Sequence, residues 1–236
     1  MGRSVSMAVR AVVVDIGGVL ERVAPVQVLA ARWMVRLGLG WAEFRAALDR
    51  VDPDNTIERG GLTEAEFGQR YADELGLSDA QSQQFLRDMW DWYCGELDTD
   101  LTAYLATLRP RYKTAIVSNS ADGARREEQA RYRFADLVDM IVYSHEVGVT
   151  KPDPRIYLLT CDRLKVQPQE VVFLDDSLAN VEAARQLGMR AVLHRSTPAS
   201  IASINTLLAD SPVSGPALLS RGSPGAASGS PATPPG

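Results

Sequence analysis

The stretch Ala11-Val12-Val13-Val14-Asp15-Ile16-Gly17-Gly18-Val19-Leu20 is a β-branched run that ends on one carboxylate and two glycines. Four consecutive apolar residues with no polar alternation read as a strand covered on both faces, the pattern of a parallel sheet. The glycines allow a tight turn directly after Asp15 and leave the backbone open to close approach. An aspartate at the carboxyl end of a central strand lies where α/β sheets bind ligands. Taken alone, the pattern is common, so its weight depends on the ends of later strands.

Working outward, nothing between Glu21 and Glu96 reads as a strand. Apolar residues recur at helical spacing from Pro25 to Gly38 and again from Trp41 to Val51. A turn-rich break at Asp52-Pro53-Asp54-Asn55 and Arg59-Gly60-Gly61 follows. Thr63-Glu64-Ala65-Glu66 has the capping-box form, and Ser78-Asp79-Ala80-Gln81 opens a further helix. After Asp98 helices and strands alternate, with strands expected at Lys113–Ser118, Met140–Tyr143, Val171–Asp175 and Arg190–Leu193. Helices are expected from Ala121 to Arg131, Pro154 to Leu164, Ala179 to Leu187 and Pro198 to Leu208. The expectation is an α/β fold: a doubly wound parallel sheet with a helical cap inserted after the first strand. Residues 1–20 and 98–210 would form the core, 21–97 the cap, and 211–236, nearly all Ser, Gly, Pro and Ala, a disordered tail.

A chain of 236 residues with ordinary apolar content can bury a real core. The net charge of -5 argues against a nucleic-acid partner. No apolar run is long enough to span a membrane. Met1-Gly2-Arg3-Ser4-Val5-Ser6 fits the loose myristoylation pattern, which is too short to carry weight against the rest of the chain. Cys94 and Cys161 have neither metal-ligand spacing nor a disulfide framework and read as packing residues of a protein in a reducing cytoplasm.

Polar groups end three of the later strand regions. Ser118-Asn119-Ser120 offers hydroxyls and an amide to an anion, or a helix cap. Lys151-Pro152-Asp153-Pro154 holds a lysine between stiff neighbours, or simply begins a helix. Asp175-Asp176 pairs two acids whose repulsion a divalent cation removes, or forms a solvated turn. Each is ambiguous by itself. Together with Asp15 they would meet in one crevice, where Asp15 and Asp175 could hold Mg²⁺ while Ser118 and Lys151 bind phosphoryl oxygens.

In this set and order the motifs resemble the haloacid dehalogenase-like (HAD) superfamily, from Ala11 to about Leu208. Within it, Asp-Ile-Gly-Gly-Val-Leu, Ser-Asn-Ser and Lys-Pro-Asp-Pro-Arg-Ile-Tyr look most like the sugar-phosphate phosphatase branch that includes glucose-1-phosphatases. The resemblance implies that Asp15 is the nucleophile, with Lys151 as its catalytic partner. It implies that Asp15, the Gly17 carbonyl, Asp175 and Asp176 hold Mg²⁺, and that Ser118, Asn119, Lys151, Gly17 and Gly18 surround the phosphoryl group. The substrate would be a small phosphorylated metabolite.

One departure falls at the centre. Family phosphatases usually carry a second aspartate two residues after the nucleophile as general acid and base, and here that position is Gly17. Three readings follow: a phosphatase for esters with a good leaving group, such as a sugar 1-phosphate; a 2-haloacid dehalogenase, against which the acid pair argues; or a catalytically weakened domain with a binding or regulatory role. Glu21 is the nearest sequence candidate for the missing acid, though the role of an exposed acid at the cap hinge fits it better. Asn180 either orients the acid pair or caps a helix, and His145 and His194 read as loop or surface histidines and receive no role. Trp33, Trp41, Trp90 and Trp92 all fall in the cap and read as its core, although one facing the cleft could stack on a sugar ring.

Overall fold

The computed structural model describes residues 7–210, so the myristoylation pattern at Met1–Ser6 and the tail after Asp210 lie outside the described residues. In chain order the elements begin with strands β1 (Ala11–Val14) and β2 (Glu21–Arg22) and helices α1 (Val26–Leu37), α2 (Trp41–Val51), α3 (Glu64–Leu75) and α4 (Asp79–Cys94). Then come β3 (Glu96–Leu97), α5 (Thr99–Leu108), β4 (Lys113–Ser118), α6 (Ala124–Tyr132), α7 (Phe134–Leu137), β5 (Met140–Tyr143) and α8 (Ser144–Val147). The chain closes with α9 (Pro154–Leu164), β6 (Val171–Asp175), α10 (Leu178–Gln186), β7 (Arg190–Leu193) and α11 (Thr197–Ala209).

The main sheet is five-stranded in the order β5-β4-β1-β6-β7, and every pairing in it is parallel. β1 therefore lies at the centre, flanked by β4 and β6. Its side chains alternate between two hydrophobic layers: Val12 and Val14 pack with Ile116, Val172 and Leu174 on one face, Ala11 and Val13 with Ala115, Val117 and Phe173 on the other. Covering both faces requires apolar residues at every position of β1, which explains the unbroken run.

The helices between β2 and β3 have a core of their own around Trp33, Phe44 and Phe85. Both capping boxes form: Thr63 Oγ1 accepts from the Glu66 N–H, and Ser78 Oγ from the Gln81 N–H. At α1 the chain reverses through Gly38, whose φ of 69° any β-carbon would strain.

Several expectations need correction. The chain does not pass from β1 into the helices without further strand: Glu21–Arg22 pairs antiparallel with Glu96–Leu97, closing a two-residue ribbon where the helical insert leaves and rejoins the sheet. Two residues are too few to produce a sequence period. Helix α6 begins at Ala124 rather than Ala121, because Gly123 takes a φ of 98° where Trp90 packs closely against it. Trp41 is exposed rather than buried in the insert. Trp33 is buried in the core of the insert as expected, whereas Trp90 is buried in the larger cluster that includes Val12 and Val14 of β1. Both cysteines are free and buried. No helix among the described residues is long and apolar enough to cross a membrane.

Candidate active site

Asp15 follows β1 directly and keeps the sheet's hydrogen bonding for one more residue through its N–H to the Leu174 carbonyl at 2.9 Å. The chain then turns sharply. The Ile16 carbonyl accepts from the N–H groups of Val19, Leu20 and Glu21, and the Gly18 N–H donates to the Glu21 carbonyl. Gly18 adopts a φ of 73°, and a β-carbon there would stand 2.2 Å from Asp176 Oδ2. The turn thus needs glycine twice over, for its backbone angle and for the approach of the Asp176 carboxylate. Gly17 differs, since a β-carbon on it would meet nothing within 4 Å.

Lys151 reaches the crevice from the loop after α8, and its ammonium stands 2.7 Å from Asp15 Oδ1 and 2.7 Å from Asp175 Oδ2. All three groups are buried. The loop is held by Asn119, whose side-chain amide donates to the Lys151 carbonyl at 3.0 Å and accepts from the Lys151 N–H at 2.8 Å. The expected phosphate ligand Asn119 therefore has both ends of its side chain engaged on backbone, and its work here is to place the lysine. Ser118 is buried at the end of β4, with its hydroxyl donating to the Asn119 carbonyl at 3.3 Å.

Asp175 ends β6 with its carboxylate fully determined. Oδ1 accepts from the Ser177 N–H, and the Asn180 amide donates to both oxygens at 3.0 and 3.2 Å. Asn180 is thus the orienting residue, not the helix cap; Ser177 occupies the cap position of α10. One oxygen from each of Asp15, Asp175 and Asp176 lies within 4.8 Å of the others. Three hard oxygen donors at that spacing, facing one ammonium, fit a magnesium ion, which takes a few carboxylates and keeps water in its remaining positions.

The charges at the site are under strain. Burial pushes the Asp15 carboxyl up to about 7, Lys151 works against that rise and Asp175 adds to it. Burial and the neighbouring Asp175 raise Asp176. Burial alone would lower the Lys151 ammonium, but Asp15 and Asp175 outweigh it and hold it above its ordinary value. A cation among the carboxylates would relieve their mutual repulsion.

A second acidic group lies near this site: Glu21, expected as an exposed hinge acid, is buried instead, and Glu128 beside it had no place in the sequence reading. Neither oxygen of buried Glu21, nor Oε1 of buried Glu128, has a hydrogen-bond partner among the described residues. Glu128 accepts a hydrogen bond from the Tyr143 hydroxyl through its other oxygen. The available signal was spacing: Ala124 and Glu128 are one helical turn apart and both buried in an otherwise polar helix. His145, expected in a loop or on the surface, lies in α8 with Nδ1 2.8 Å from the buried Ser120 hydroxyl. His194 Nδ1 lies 2.9 Å from Ser200 Oγ.

Glu21 carries a pH prediction. Burial, then the neighbouring Glu128, pushes its carboxyl from 4.5 up to about 9. Between those values the folded protein holds a proton that the unfolded chain has released. The group's contribution to stability is therefore complete below about pH 4.5 and is lost as pH rises toward 9. Glu21→Gln removes that dependence. Its stability relative to the unchanged protein should rise from pH 5 to pH 9, by roughly 2–3 kcal/mol at pH 7 before the cost of burying the amide. Urea unfolding of both proteins across that range is the measurement, and a difference that stays flat with pH would refute the assignment.

The all-parallel sheet, the Asp15 turn, and the polar groups at the ends of β1, β4 and β6 and after β5 together define a class. Residues 9–188 match the family model of the haloacid dehalogenase-like hydrolases, and the chain belongs to that family. Its relatives include bifunctional epoxide hydrolase 2 of Sus scrofa, 29% identical over 212 residues, covering 83% of this chain and 38% of that protein. The chain thus spans well under half of that relative's length. D-ribitol-5-phosphate phosphatase of Bacteroides thetaiotaomicron is 25% identical over 190 residues, covering 76% of this chain and 89% of that one. A HAD family enzyme of Bacteroides thetaiotaomicron, solved with magnesium and inorganic phosphate, superposes with a TM-score of 0.67 at 23% identity over 80% of this chain and 95% of that one.

Proposed function

We propose that this chain is a Mg²⁺-dependent phosphomonoester hydrolase acting on a small phosphorylated metabolite through an aspartyl-phosphate on Asp15. The observation that carries the reading is the arrangement of one ammonium between two buried aspartates, Lys151 at 2.7 Å from both Asp15 and Asp175, with Asp176 close by. The phosphatase named among the relatives, and the magnesium and phosphate in the structural neighbour, support it. We take residues 21–97 as a cap over a core made of 1–20 and 98–210. The buried thiols of Cys94 and Cys161 suit the reducing cytoplasm in which we place the reaction.

Asp15, Asp175 and Asp176, with the Gly17 carbonyl, would hold Mg²⁺, which would neutralise charge on the phosphoryl oxygens. Asp15 Oδ attacks phosphorus, a bond forms between them, and the bond from phosphorus to the alcohol oxygen breaks. The alkoxide takes a proton from water, and the hydroxide so formed attacks the phosphorus of the aspartyl-phosphate, breaking its bond to Asp15 Oδ and releasing phosphate. Lys151 aims the Asp15 carboxylate and offers fixed positive charge to the transferring group, with Ser118 as a further donor. Closure of the cap about Glu21–Arg22 and Glu96–Leu97 would keep bulk water out.

The three-carboxylate cluster favours this over dehalogenation, which in the family proceeds without a metal. Phosphate release from acetyl phosphate is the test. It should require Mg²⁺, stop with EDTA, and fall by about 10³-fold or more in Asp15→Asn, which loses the nucleophile. Turnover of a 2-halo acid that survives EDTA, or an Asp15→Asn variant as active as its parent, would overturn the proposal.

A further inference from the structure

A cavity of about 690 Å³ opens from the residues that follow β4, Asn119 to Ala121, and runs between the helices of the insert. That is the size of a pocket for a small organic ligand. It starts at the strand end that carries Ser118, so it is placed to receive whatever the phosphoryl group is attached to.

Its walls are mainly hydrocarbon: Leu29, Leu48, Phe67, Phe85 and Met89, with the indoles of Trp90 and Trp92. The polar ends of those indoles are tied to protein. Trp90 Nε1 donates to Glu64 Oε1 at 2.6 Å, and Trp92 Nε1 to the Ala24 carbonyl at 2.7 Å. The polar side chains nearest the strand end are likewise engaged, Asn119 on the Lys151 backbone and Ser120 on His145. At the far side the Asp52 carboxylate accepts from the Thr56 hydroxyl and the Thr56 and Ile57 N–H groups. Apart from the Tyr71 and Tyr93 hydroxyls and the acids at the far side, a polyol lying in this cavity would lose water from its hydroxyls without gaining a partner, which costs binding. No lysine or arginine lines the cavity, whereas Asp49, Asp52 and Glu58 do. A second phosphate or a carboxylate at the distal end of the substrate would therefore be repelled.

We propose that the substrate is a phosphate monoester of an apolar alcohol, an alkyl or arylalkyl phosphate, with its hydrocarbon body in this cavity. The assignment rests on the phosphatase reading for the phosphate end, and it replaces the sugar 1-phosphate expected from the sequence.

The test uses the full chain with Mg²⁺ and n-alkyl phosphonates from ethyl to octyl, which cannot be hydrolysed, titrated by calorimetry. Affinity should rise by about three- to fourfold per methylene and by more than a hundredfold across the series. Leu48→Asn should cut the octyl-to-ethyl ratio about tenfold. A flat series, or tighter binding of a sugar phosphate or of phosphocholine than of octyl phosphonate, would overturn the assignment. Acetyl phosphate hydrolysis in the same preparation separates the two readings. Hydrolysis with a flat series removes the apolar substrate alone. A steep series without hydrolysis removes the phosphatase reading and retains an apolar phosphate-binding site.

Discussion

Gly17→Asp should raise the rate of phosphate release by about 10²–10⁴-fold, the usual contribution of a placed general acid and base. A β-carbon at Gly17 meets nothing within 4 Å, and the position needs no left-handed backbone, so the backbone accepts a side chain there without a clash at its first carbon. It stands two residues beyond Asp15, where family phosphatases carry that acid. The gain should be largest for esters of poorly acidic alcohols, whose alkoxide most needs a proton, and small for acetyl phosphate, whose leaving group needs none. Single-turnover rates on octyl phosphate and acetyl phosphate would read the contrast. Equal rates for variant and parent on both esters would mean that proton transfer already has a source in this site.

The second large effect belongs to Lys151→Met. The lysine is the counter-ion of two buried carboxylates, and removing one partner of a buried charge cluster typically costs about 3–5 kcal/mol. Without Mg²⁺ the variant should unfold at markedly lower urea. The deficit should grow as pH rises above 7, because Asp15 of the parent ionises beside the ammonium at about 7, whereas without Lys151 its carboxyl is pushed higher still and holds its proton while the unfolded chain has released it. Added Mg²⁺ should restore part of the stability, but phosphate release should stay down by at least about 10²–10³-fold, since the donor to the transferring group is gone. Unchanged stability in metal-free buffer would show that the ammonium does not hold the two aspartates together.

Local chemistry was legible where a single rule governed it. The capping boxes at Thr63 and Ser78 need only residues three apart, and both form. The strand at Val171–Asp175 and the helix Pro154–Leu164 stand where apolar runs and a proline placed them. The ribbon of Glu21–Arg22 with Glu96–Leu97 escaped notice because its partners are distant in the chain and too short to show a period.

Within the site the division runs the same way. Asp15 and Asp175 could be singled out because each is an ionisable residue at the end of an apolar strand, where a charge lacks a routine structural reason, and Lys151 because it stands beside stiff prolines in the connection after β5. What Asn119 does could not, since an amide beside a serine looks the same whether it binds an anion or a loop. Glu128 reads as one more charge on a polar helix until the sheet covers it.

The linear order of residues determined the parallel sheet, the inserted helices and the acids that face the crevice, because strand and helix periods and strand-end charges are local properties. Only the folded chain decided that Asn119 serves the lysine, that Glu21 and Glu128 lie buried together, and that the cavity wall turns carbon inward. Those outcomes depend on which distant groups satisfy each polar atom, and hydrogen-bond pairing across the fold is a property of three-dimensional proximity.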